Sequence, residues 1–127
     1  MKKLLFVMLF CMAFFAMQAQ IYEPVKWSVS AKMDSDSSGV VNVNAAVEQG
    51  WHLYGLDIPE GGPHATSVTI QPQAGVVIGD VTPSVKPIEK VDMIFHLKLQ
   101  WWNDDVVFSI PVTVTDGKSH DLKCTVS

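Results

Sequence analysis

Cysteine and histidine are the residue types here that could exchange thiols or hold a metal, and the chain has two of the first and four of the second. Cys11 sits in an apolar leader, and Cys124 lies between Leu122 and Val126 near the carboxyl end. That spacing places Cys124 on the apolar phase of a closing strand, where a free thiol packs as a small hydrophobe. A reactive thiol needs exposure and a nearby positive charge to lower its pKa. Lys123 is adjacent, but neighbours on a strand point to opposite faces. His52 and His96 read as polar-phase strand residues, and His64 and His120 as loop residues. No pair has metal-ligand spacing, and no His or Met follows Cys124 to complete a blue-copper set. No G-x-S-x-G, H-E-x-x-H or glycine-rich phosphate loop occurs. The sequence therefore names no catalytic residue, metal ligand or cofactor.

The aromatic residues carry more information. Trp51, Tyr54, Phe95, Trp101 and Trp102 are many large rings for a chain of 127 residues. Most belong to a core. Trp101 and Trp102 are neighbours, so on a strand they face opposite sides, and one must be exposed or covered by a loop. An aromatic outside the core is a mark of a binding surface.

The elements that position these residues read as β-structure. Beyond residue 19 there are seventeen Val and five Leu, and Val suits a pleated, half-buried surface. Period-2 alternation joins Val25, Trp27, Val29 and Ala31, then Val41, Val43, Ala45 and Val47. It joins Met93, Phe95, Leu97, Leu99 and Trp101 in the longest run, then Val106, Phe108, Ile110, Val112 and Val114. Asp34 to Gly39 is a turn, Pro59-Glu60-Gly61-Gly62-Pro63 a rigid loop, and Asp116-Gly117 a hairpin turn. Pro111 cannot donate to a ladder, so its strand is expected at an edge or with a bulge. Seven or eight short strands predict an all-β, immunoglobulin-like antiparallel β-sandwich over residues 20–127.

Residues 1–19 hold sixteen apolar residues behind Lys2 and Lys3, and Met17-Gln18-Ala19 ends them with a small residue. This is the layout of a secretory signal peptide, in helical form, and it predicts export to an oxidising compartment, most simply the periplasm. The whole chain carries a net charge of −4, and removing two Lys leaves seven Lys against thirteen acids, or −6. With no Arg and no basic patch, nucleic-acid binding is excluded as a role. No later run approaches the ~18 apolar residues of a membrane span.

Gly50-Trp51-His52-Leu53-Tyr54-Gly55-Leu56-Asp57-Ile58 follows an alternating strand and leads into a Pro-bearing loop. Together with Tyr22-Glu23-Pro24-Val25-Lys26-Trp27-Ser28, it resembles the amino-terminal domain of the DsbD family of thiol:disulfide interchange proteins. Ile58 to Pro63 is similar to the Bacteroidetes-type form. The resemblance covers about residues 21–127. It implies an immunoglobulin-like fold and a periplasmic redox role. Electrons come from a membrane domain through a thioredoxin-like domain and pass to periplasmic thiol/disulfide proteins by mixed disulfides. It also implies a cap loop with an aromatic tip over a cysteine pair. Val91 to Phe95 matches that cap by position, with Asp92 in it and Phe95 as its ring, and Tyr54 matches an aromatic beside the site.

One departure matters. In the family the last strand runs on to two redox cysteines, whereas Leu122 to Ser127 matches only the strand before them. On this alignment Cys124 is a core residue, the pair lies beyond Ser127, the domain is incomplete at its carboxyl end, and this chain alone is inactive. Any membrane contact would come from a downstream domain. Two other readings stand beside this one: a non-catalytic exported β-sandwich that binds a protein through strand edges or exposed aromatics, and a reductant using Cys124 with an external thiol.

Overall fold

The computed structural model describes residues 23–127, and the signal-peptide helix expected over 1–19 lies outside them. Among the described residues there is no helix. Ten strands follow in chain order: β1 (Val25–Met33), β2 (Ser38–Val47), β3 (Leu53–Tyr54), β4 (Val68–Ile70), β5 (Val76–Ile78), β6 (Thr82–Pro83), β7 (Ile88–Asp92), β8 (Leu97–Trp102), β9 (Val106–Val114) and β10 (Cys124–Val126). The larger sheet has the order β1-β2-β9-β5, with β6 also on β9. Facing it are β3-β8-β7 and the pair β10-β4. All pairings are antiparallel, so the protein is an all-β, immunoglobulin-like sandwich.

The core follows from the period-2 pattern. Val41, Val43 and Ala45 of β2 pair with Ile110, Phe108 and Val106 of β9, and all six are buried. Successive side chains on a strand point to opposite faces, so these three cross-strand pairs share the inner face. Leu53, Val68, Ile70 and Trp102 close over them from the second layer. Phe108 is fully buried, with Trp102 edge-on to it at 5.3 Å between ring centroids and Trp27 stacked at 6.2 Å. Each large side chain so buried contributes roughly 1.5–3 kcal/mol of transfer free energy.

Three local expectations are corrected. The run from Met93 to Trp101 is not one strand. Residues 93–96 form a turn, and the chain before it, Ile88 to Asp92, is a strand paired back onto Leu97 to Trp101. Asp116-Gly117 is not a tight hairpin turn either, because β9 and β10 lie in different sheets and the connection crosses between them. Finally, Pro111 is in a central strand, with β2 on one side and β5 and β6 on the other. Its carbonyl accepts from Gly79 N at 2.7 Å, so its nitrogen also faces that side. There β5 pairs with residues 112–114 and β6 with residues 108 and 109, and the missing donor falls in the break between them.

Candidate functional site

The β7–β8 hairpin and β3 build a hollow of about 330 Å³ on the outer face of the second layer. Tyr54 pairs with Trp101, and Leu53 with Trp102. Trp102 and Leu53 enter the core, so the pleat turns Trp101 and Tyr54 outward. The expectation that one of the two adjacent tryptophans stays outside the core is met by Trp101. The Trp102 indole also donates from Nε1 to the Val85 carbonyl at 2.8 Å, which fixes the strand that carries its neighbour.

On β7, Lys90 pairs with Leu99 and Asp92 with Leu97, so Lys90 and Asp92 share the outward phase with Trp101 and Tyr54. Leu99 lies on this outward phase yet is almost fully buried. The proline- and glycine-rich loop explains this. A Cβ at Gly62 would come within 3.4 Å of Leu99 Cδ2, and one at Gly61 within 3.9 Å of Leu97 Cδ1. The loop therefore lies against the floor of the hollow, and Gly61 holds it there at a φ of 91° that side chains disfavour.

Asp92 shapes the rim. Its Oδ1 accepts from Ile94 N at 2.8 Å and Phe95 N at 3.0 Å, and its carbonyl accepts from His96 N at 2.8 Å. A short carboxylate that satisfies two following amides is an Asx turn. His96 completes the turn at a φ of 55°, and so leaves the strand phase expected for it. The tip carries Met93, 78% exposed, Ile94, 85% exposed, and Phe95, 40% exposed. The structure thus brings Tyr54 and Asp92 around one hollow and stands Phe95 at the hairpin tip beside it, outside the lining.

His52 and Lys90 are walls of the hollow that the sequence reading did not assign to a site. The His52 ring lies 5.5 Å from that of Trp101, tilted by 44°. The signal that finds them is period-2 phase, which joins His52 to Tyr54 and Lys90 to Asp92.

Cys124 does not line this hollow. It packs half-buried against the core and lines a separate groove of about 700 Å³. Burial pushes its thiol pKa up. Since the thiolate is the nucleophile, this environment disfavours exchange chemistry at Cys124. From β10 the backbone leads back toward the hollow. Ser127 and Ser67 exchange both main-chain hydrogen bonds, Thr66 N donates to the Gly55 carbonyl at 3.0 Å, and Gly55 N donates to the Gln100 carbonyl at 2.7 Å. Among the described residues, no three His, Cys, Asp or Glu side chains come together as a metal site, and no helix is long and apolar enough to cross a membrane.

Comparison with curated proteins and with solved structures gave no match. A family model, the N-terminal domain of the thiol:disulfide interchange protein DsbD, matches residues 18–127. The family as a whole works in the periplasm and interacts with thiol/disulfide redox proteins. The match takes in every described strand, both walls of the hollow and the hairpin that rims it, and on it the chain belongs to the family of DsbD N-terminal domains.

Proposed function

We propose that this domain passes reducing equivalents to envelope proteins by thiol:disulfide interchange in the periplasm, after a signal peptide at residues 1–19 has exported it. The reaction site is the hollow beside Tyr54. The hairpin tip at residues 93–96 is its cap, with Phe95 as the shielding ring and Asp92 as the residue that holds the cap in shape. The redox cysteine pair is supplied by residues following Ser127. Its partners are a thioredoxin-like domain and periplasmic thiol/disulfide proteins.

The observation that carries this reading is the path of β10. The Ser127–Ser67 ladder sits one residue from the Thr66–Gly55 hydrogen bond, and Gly55 follows Tyr54. A chain continuing along that ladder would run beside the segment that is bonded to the end of β3, the strand that carries Tyr54. The lone described thiol, by contrast, lies elsewhere with its pKa raised by burial, which argues against the reading of Cys124 as a standalone reductant.

The test begins with the reading frame past the codon for Ser127. Two closely spaced cysteines are expected. In the protein so encoded, Phe95→Ala should speed attack of small thiols on the oxidised pair. A stop codon directly after Ser127 would overturn the redox reading. The second reading, a non-catalytic protein-binding module, would then account better for the apolar side chains of Val91, Met93 and Ile94 held out in solvent.

A further inference from the structure

We propose that protonated His120 is a latch that clamps the β9–β10 connection onto the β4–β5 loop, and that loss of one ring proton opens it, loosening the incoming end of β10 and the groove wall beside Cys124. The latch is independent of the redox reading and uses residues remote in sequence from the hollow.

The geometry is a hydrogen-bond argument. His120 Nδ1 lies 2.7 Å from Gln73 Oε1, and Nε2 lies 2.8 Å from Asp116 Oδ1. The orientation of the Gln73 amide is set by its other end, where Nε2 donates to the Asp121 carbonyl at 2.9 Å. Turning the amide over would place two acceptors face to face at Asp121. So Gln73 presents an acceptor to Nδ1, and Asp116 presents an acceptor to Nε2. A neutral imidazole has one donor and one acceptor nitrogen, whereas the imidazolium has two donors. Either neutral tautomer leaves a lone pair against an oxygen, and only the charged ring satisfies both contacts. The side chain of His120 is only 13% exposed, so water replaces a lost partner poorly.

The surroundings fit this assignment. Asp116 Oδ1 also accepts from Lys118 N at 3.0 Å, which holds the carboxylate in place. Its pKa is lowered, chiefly by the hydrogen bond from His120. Thr115 N donates to the Gly75 carbonyl at 2.9 Å, and a Cβ at Gly75 would run into the Asp116 carboxylate, so the two loops touch closely. The other charged groups on this groove are Lys118 and Asp121 on the same connection and Asp36 on the facing β1–β2 turn. What the latch restrains is light. β10 pairs with β4 over three residues, and Gln71 N donates to the Lys123 carbonyl at 2.8 Å just before it.

The full chain is titrated upward from about pH 5 until the His120 ring has lost one proton. Two quantities are read by NMR: the protons on the His120 ring nitrogens, and amide exchange at Gln71 corrected for the intrinsic effect of pH. Both ring nitrogens should carry protons at the acid end. Protection at Gln71 should fall roughly tenfold as one proton leaves, the scale of one charge-assisted hydrogen bond, while the Val43 amide in the core stays unchanged. His120→Gln should remove the step. Asp116→Ala, which leaves Nε2 without an acceptor so that a neutral ring satisfies Gln73 alone, should also remove the step, with protection at Gln71 low throughout. Flat protection at Gln71 through the His120 titration, or a step that survives in either variant, would overturn the proposal.

Discussion

The fold contains two hairpins whose turns use the same device for opposite ends. In the β1–β2 turn, Ser35 Oγ accepts from Ser37 N at 3.3 Å and Ser38 N at 3.0 Å. In the β7–β8 turn, Asp92 Oδ1 accepts from the amides of Ile94 and Phe95. Each short side chain satisfies two amides that the turn leaves without a strand partner. The content differs. The first turn is built of Asp and Ser, and its strand β2 alternates buried and half-buried into the core. The second holds up Met93, Ile94 and Phe95, and its strand β7 is exposed along nearly its whole length. Apolar side chains in water do not stabilise a fold, and a cluster of them on a fixed tip marks a contact surface. The first hairpin puts one of its strands into the core, and the second holds apolar side chains out in water at its tip.

The largest effect that can break this contrast comes from the core under the first hairpin. Phe108→Ala removes the ring on which both Trp27 and Trp102 rest. It should cost about 3–5 kcal/mol, as for other buried aromatic truncations. Denaturant unfolding of the full chain measures it. A loss below about 1 kcal/mol would mean that the two layers are held together elsewhere.

Next comes the lock of the second hairpin. Asp92→Ala deletes the acceptor of two amides and should weaken the turn by about 1–2 kcal/mol, as loss of a side-chain cap does elsewhere. The loss should be local, read as faster amide exchange at Ile94 and Phe95 with the midpoint of global unfolding little moved. Asp92→Asn keeps an acceptor oxygen and should restore most of the protection. If both variants behaved alike, the charge of Asp92 rather than its hydrogen bonds would be holding the tip.

A smaller effect sharpens the claim about content. Ile94→Ser replaces the most exposed apolar side chain of the tip. Stability should stay within about 0.5 kcal/mol of the parent, as for surface changes that touch nothing, while association with a thiol/disulfide partner protein weakens. A clear loss of stability would place Ile94 in the fold rather than on a surface.

The two hairpins also differ in how legible they are in the sequence. β2 and β9 show clean alternation because one face of each is buried, and burial is what imprints period 2 on a sequence. Ile88-Glu89-Lys90-Val91 has both faces largely in water, so nothing forces a pattern, and the strand is invisible. The turn after it is disguised for a further reason. Met93 and Phe95 happen to continue the phase of Leu97 and Leu99, though they lie exposed in the turn and not in the core. Asp92 is the one local cue, and it reads as a cap only once the strand before it is known. Tyr54 and Asp92, which line the candidate hollow, are singled out in the sequence only by resemblance for the same reason, since the phase that unites them needs the register of three strands. Cys124 is the opposite case, because its place between Leu122 and Val126 suffices to put it against the core.

The smallest expected effect is acid lability of the second hairpin. Glu89 clamps β7 to β8, accepting from Gln100 Nε2 at 2.8 Å and pairing with Lys98 Nζ at 3.0 Å. These contacts hold its pKa below the ordinary 4.5, the hydrogen bond with Lys98 contributing most and that with Gln100 next. A carboxyl depressed in the folded state stabilises that state above its unfolded pKa, and the contribution fades as pH falls through the folded value. Hairpin amides should therefore lose protection in the window below about pH 4.5. The pair is exposed and screened by salt, so the change is slight and should shrink at high ionic strength. Glu89→Gln should lose the acid step and keep the bond to Gln100. The β1–β2 hairpin supplies the internal control. Its one ion pair, Lys26 with Glu23 at 4.0 Å, lies at the base and does not cross its strands. An equal acid step in both hairpins would assign the effect to the sandwich as a whole, and only a step confined to β7–β8 supports a contact surface held by its own cross-strand clamp.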